Sequence, residues 1–77
     1  MPTGDEMTYG KRLKRLRVGL QPPLDQKALA ETLGVHVTTI SRWENNQVLP
    51  AVDQLRPLAR ALRVPVEWVV PPEAIHE

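Results

Sequence analysis

The chain contains no cysteine and no phenylalanine, and aromatic residues of every kind make up 4% of its 77 positions. Without cysteine, neither a disulfide nor a thiolate metal site can staple a small core, so packing alone must hold it. Histidine is as scarce: His36 and His76 are the only two, and no carboxylate pair, Ser-His-acid set or glycine-rich phosphate loop accompanies them. Catalysis, a bound metal and any other cofactor are therefore not expected. No apolar run approaches the ~20 residues that span a bilayer, and Met1 to Glu6 lacks the basic start and apolar stretch of a secretory leader. A cytoplasmic protein without a membrane partner is the expectation. Strand patterning is missing too, because valine and isoleucine nowhere alternate with polar residues over a useful length.

What remains is room for one small domain, with 42% hydrophobic and 25% charged residues, close to globular averages. A separate effector-sensing or oligomerisation domain does not fit. The formal charge of +1 hides an uneven distribution: residues 7–63 hold all 10 Lys and Arg against four acids, a net of +6, and the flanks carry −5. A basic body between acidic ends suits a polyanion partner.

Helical spacing recurs along the chain. Tyr9, Leu13, Leu16 and Leu20 form one apolar stripe, with Lys11, Arg12, Lys14 and Arg15 on other faces. Gly19 and then Pro22-Pro23 end that helix. Asp25 is expected to cap a second helix that buries Leu29, Ala30 and Leu33, since a short acceptor there meets the free amides of the first turn. Gly34 supplies a tight turn, Val37, Ile40 and Trp43 lie on a third helix, and Asn45-Asn46 forms its exit. Leu55, Leu58, Ala59 and Leu62 mark a fourth helix, in which Pro57 demands either a late start with Asp53 as cap or a kink. Val66, Trp68 and Val69, between Pro65 and Pro71-Pro72, make a last turn or two. The fold class is all-α, a bundle of about five short helices in residues 8–70, with tails at 1–7 and 71–77.

The string from Gln26 to Asn46, with its Gln, Leu-Ala, Gly, Ile and Trp-Glu spacing, resembles the helix-turn-helix of the phage-repressor family, the Cro and repressor type also called the xenobiotic-response-element family. Pro50, Leu55, Leu58-Ala59 and Ala61-Leu62 fit the same pattern downstream, so the likeness covers about residues 10–70. It implies a lambda-repressor-like DNA-binding domain and a sequence-specific double-stranded DNA-binding regulator, a repressor rather than an enzyme. By the ~100° advance per residue, Val37, Thr38, Ser41 and Arg42 share the face of the recognition helix away from Ile40 and Trp43. Arg forks onto a guanine edge, Thr bonds several bases and Val touches a thymine methyl, so these four are the candidate base readers.

The resemblance further implies phosphate contacts from Gln26 and Asn45, to which Lys27 and His36 are added as candidates, and a structural salt bridge between Arg17 and Glu44. Three departures stand out. His36 replaces the usual Ser or Thr cap, Asn46 replaces the usual Gly, and about two extra residues occur around Gln21-Pro22-Pro23. One recognition helix covers too few base pairs for useful specificity, so a homodimer on a palindromic operator is expected, paired through Val66, Trp68 and Val69. An antitoxin-type protein that binds its own operator and a toxin partner is the alternative from a different functional class.

Overall fold

The computed structural model describes residues 8–72, so the expected tail at 1–7, and all of the 71–77 tail but its first two residues, lie outside the described residues. Four α-helices follow one another: α1 (Tyr9–Val18), α2 (Gln26–Leu33), α3 (Val37–Glu44) and α4 (Val52–Leu62). Among the described residues there is no strand, as the all-α reading requires. The fifth helix is a correction: Val66–Trp68 forms a single 3₁₀ turn. Pro65 and Pro71 stand too close together to pay for the nucleation of a full α-helix.

Local chemistry sets the helix ends. Thr8 Oγ1 accepts from Lys11 N at 3.2 Å, Asp25 Oδ1 from Ala28 N at 2.7 Å and His36 Nδ1 from Thr38 N at 3.1 Å, so each satisfies one amide of a first turn. Of the two alternatives at Pro57, the late start of the fourth helix is not found. Ala51, not Asp53, is its N-cap residue, and because Ala51 carries no acceptor, Gln54 Oε1 reaches back to Ala51 N at 2.9 Å. Asp53 instead lies within the first turn, where its charge suits the positive helix end. The helix runs on through Pro57 to Leu62, held by the burial of Leu55, Leu58, Ala59 and Leu62.

Three exits use left-handed backbone, that of α4 at Arg63 (φ 60°) among them. Gly34 (φ 72°) closes α2, with Val35 N donating to Ala30 O at 3.0 Å, and Asn46 (φ 62°) closes α3, with Gln47 N donating to Arg42 O at 2.9 Å. Residues 34–36 are thus the whole connection between α2 and α3.

The core gathers one stripe from each helix: Tyr9 and Leu13, Leu29 and Ala30, Ile40 and Trp43, Leu58, Ala59 and Leu62, with Val69 closing it. Ile40 and Trp43 are 1% and 2% exposed, so the inner side of α3 is committed to packing. The Tyr9 phenol donates to the Val69 carbonyl and thereby ties the start of α1 to the segment after the 3₁₀ turn. Burial pushes its pKa up to about 12 against the opposing pull of the Arg12 guanidinium, so the donor keeps its proton through and beyond the ordinary tyrosine range. With α1 and α2 both packed on α3, and α4 on α2, the outward side of α3 is left uncovered.

Candidate nucleic-acid interface

Val37, Thr38 and Arg42 are exposed on the outer side of α3, and Ser41 is half-buried beside them. All four candidate base readers therefore lie on one side of a helix whose other side carries Ile40, Trp43 and Glu44 into the interior. Their chemistries differ. Arg42 offers a guanidinium with no ion-pair partner among the described residues, Thr38 a hydroxyl, and Val37 methyl groups at 37% residue exposure. The Ser41 hydroxyl accepts from Asn45 Nδ2 at 3.3 Å, which ties these two side chains together one turn apart.

The candidate phosphate contacts surround this helix. Lys27, His36 and Asn45 are exposed, and Gln26, the first residue of α2, is half-buried. His36 does cap α3: its Nδ1 accepts from Thr38 N, which leaves Nε2 as the ring nitrogen not used in the cap. At the start of α2, backbone amides and the positive helix end add to the Lys27 charge.

Beneath this surface lies a buried network. Arg17 Nε donates to Glu44 Oε2 at 2.7 Å and Arg17 Nη2 to Glu44 Oε1 at 3.0 Å, a two-pronged bridge from α1 to the end of α3. Arg17 Nη1 donates to the Leu24 carbonyl at 2.9 Å, which anchors the loop containing Gln21-Pro22-Pro23. Gln26 Nε2 donates to Glu44 Oε1 at 2.9 Å. A carboxylate only accepts, so Glu44 fixes which end of the Gln26 amide faces inward. That bond uses one of the two N–H groups of the amide.

One cluster escaped the sequence reading. Asn46 Oδ1 accepts from Gly10 N at 2.9 Å, and Asn46 Nδ2 donates to Thr8 Oγ1 at 3.0 Å. A Cβ on Gly10 would lie 2.3 Å from the Glu44 carbonyl oxygen, so α1 and the end of α3 touch backbone to backbone. A glycine inside a helix costs ~1 kcal/mol against alanine, and that cost was the available signal for a packing role.

Comparison with known proteins agrees with this geometry. A model of the helix-turn-helix family matches residues 13–69. The chain belongs to the helix-turn-helix family. The phage-repressor type expected from residues 26–46 is the type found. The restriction-modification controller protein C.AhdI from Aeromonas hydrophila has a similar structure, with a TM-score of 0.72 and 25% identity over 88% of this chain and 100% of that one. The DNA-binding domain of the P22 C2 repressor (1–76) is also similar, with a TM-score of 0.74 and 26% identity over 100% of this chain and 95% of that one. No curated protein matches.

In this helix-turn-helix domain, the expected pairing segment does not act as one surface. Val69 is fully buried in the core and Val66 is half-buried against it, whereas Trp68 is 51% exposed. The 3₁₀ turn points the neighbouring side chains in different directions, so only Trp68 offers a large outward apolar group. On α1, Lys11, Lys14 and Arg15 are exposed, and Arg12 lies half-buried with its guanidinium carbon 5.9 Å from the Tyr9 ring centre. Among the described residues no helix is long and apolar enough to cross a membrane.

Proposed function

We propose that this chain is a sequence-specific double-stranded DNA-binding transcriptional regulator, a repressor acting in the cytoplasm, and that it inserts α3 into the major groove. The observation that carries this reading is the two-sided character of α3: Val37, Thr38 and Arg42 face outward together while Ile40, Trp43 and Glu44 lock the helix to the body. A rigid helix with varied donors on its free side is what base readout needs. The two similar structures, a controller protein and the DNA-binding domain of a repressor, support it.

In this reading Val37, Thr38, Ser41 and Arg42 touch base edges, while Gln26, Lys27, His36 and Asn45 hold phosphates that look alike at every sequence. Selection of bound genomic fragments followed by footprinting identifies the operator and tests the reading directly. On that operator, Lys27→Ala is expected to weaken all sequences about equally and to lower the salt dependence by roughly one phosphate contact. A loss confined to one operator sequence, with an unchanged salt slope, would assign Lys27 to a base instead.

The protein binds as a two-fold dimer in this proposal, with half-sites about 34–36 Å apart. Trp68 is the exposed anchor, since a large aromatic at the centre of a contact carries much of its energy. Trp68→Ala is expected to sediment as a monomer and to lose more than about tenfold affinity for a two-half-site operator, with binding to a single half-site unchanged. A dimer that survives Trp68→Ala removes that surface from consideration.

A further inference from the structure

We propose that Asn46 is a positioning residue for base recognition: together with Thr8 it pins the exit of α3 to the first turn of α1 and so fixes the pose of the recognition helix. The proposal rests on the assignment of Val37, Thr38 and Arg42 as base readers, and adds residues that themselves touch no base.

A residue at the left-handed exit of α3 has only to tolerate φ 62°, which glycine does at least cost. Asn46 does more. Its side chain spans from Gly10 N to Thr8 Oγ1, partners 36 and 38 positions away in sequence, and uses both ends of the amide. Thr8 Oγ1 at the same time accepts from Lys11 N, so the contact engages the capped first turn of α1 rather than a loose chain end.

Two further contacts turn this tether into a fixed mount. The backbone of Glu44 lies so close to Gly10 that no side chain fits between them. The Glu44 carboxylate meanwhile reaches Arg17, seven residues and so about 10 Å further along α1. The end of α3 is therefore held at two well-separated points on one helix, which resists rotation as well as displacement.

The geometry of a lever follows. Val37 lies seven residues from Glu44, about 10 Å along α3, whereas Arg42 lies two residues away, about 3 Å. A rotation of about 5° at the mount would carry Val37 and Thr38 by almost 1 Å and Arg42 by about a third of that. Hydrogen-bond geometry to a base edge tolerates the smaller shift far better than the larger one. Because α2 still packs on α3, with Ala30 and Ile40 both in the buried core, removing the Asn46 side chain loosens the mount without releasing the helix.

The test measures affinity for the selected operator and for every single-base variant of it, with urea melts of each protein alongside. Thr38→Ala and Arg42→Ala first map which base pairs those residues read. Asn46→Gly keeps the left-handed turn and removes the side chain, Thr8→Val removes the hydroxyl, and Thr8→Ser retains it. Asn46→Gly and Thr8→Val are each expected to weaken operator binding about fivefold and to flatten preference at the Thr38 pair more than at the Arg42 pair. Thr8→Ser should match the parent protein. The proposal is overturned if Asn46→Gly and Thr8→Val change only the melts, or flatten all positions equally. It is overturned together with the base-reading assignment if Thr38→Ala and Arg42→Ala move no preference.

Discussion

Arg17→Ala and Glu44→Ala are each expected to lower stability by about 3–5 kcal/mol, because either substitution strands the remaining charge in a nearly dry site. The two side chains are 9% and 4% exposed, and the carboxylate also receives Gln26 Nε2. An exposed ion pair would contribute at most ~1 kcal/mol. Small domains have only about 5–15 kcal/mol in total, so the single variants should sit close to unfolding at room temperature. The double variant should lose much less than the sum, since no unpaired charge is left behind. Urea melts of all three proteins decide the matter, and additive losses below ~1 kcal/mol would contradict the buried bridge.

Gly10→Ala is expected to be the other severe change, and two effects of opposite sign compete there. Alanine is the better helix former by ~1 kcal/mol. Against this, its Cβ would stand 2.3 Å from the Glu44 carbonyl oxygen, 2.6 Å from the carbonyl carbon and 2.8 Å from the Trp43 oxygen, all of them backbone atoms that no rotamer can move aside. α1 and α3 must separate, opening contacts across the core and stretching the Arg17–Glu44 bridge. Overpacking of this kind costs about 1–3 kcal/mol for a side chain that can yield, so a backbone clash should reach or pass the top of that range and leave a net loss of ~2 kcal/mol or more. A urea midpoint equal to or above that of the parent protein would show that the helices give way freely.

The parts of the fold that were legible in the sequence are those with local causes. Asp25, Gly34 and the Asn45-Asn46 exit follow from capping chemistry within a few residues, and the buried stripes of α2 and α4 follow from spacing. The outward face of α3 was legible for the same reason, since helical angle alone separates Thr38 and Arg42 from Ile40 and Trp43. Where the cause is distant, the reading failed. The start of α4 is the exception, because its cause is local: Gln54 reaches back three residues to Ala51, while Asp53, with its short acceptor, looks the better cap. Val66, Trp68 and Val69 form too short a run for periodicity to sort inside from outside, and only the assembled core, in which Val69 is fully buried, separates them. The Asn46 tether and the Glu44 hold on Gln26 join residues at least 18 positions apart, and no local pattern announces them.

The most direct test of DNA reading by α3 is the binding of Arg42→Ala to the selected operator, to each single-base variant and to random DNA, at several salt concentrations. The expected result is salt-sensitive binding by the parent protein, a loss of ~1–3 kcal/mol on the operator for the variant, and relaxed preference at one base pair per half-site, because the guanidinium fork matches the two acceptors of a guanine edge. Equal weakening on every sequence, with base preferences intact, would make Arg42 a phosphate clamp. A parent protein with no salt-sensitive affinity for any duplex would contradict the proposed function itself.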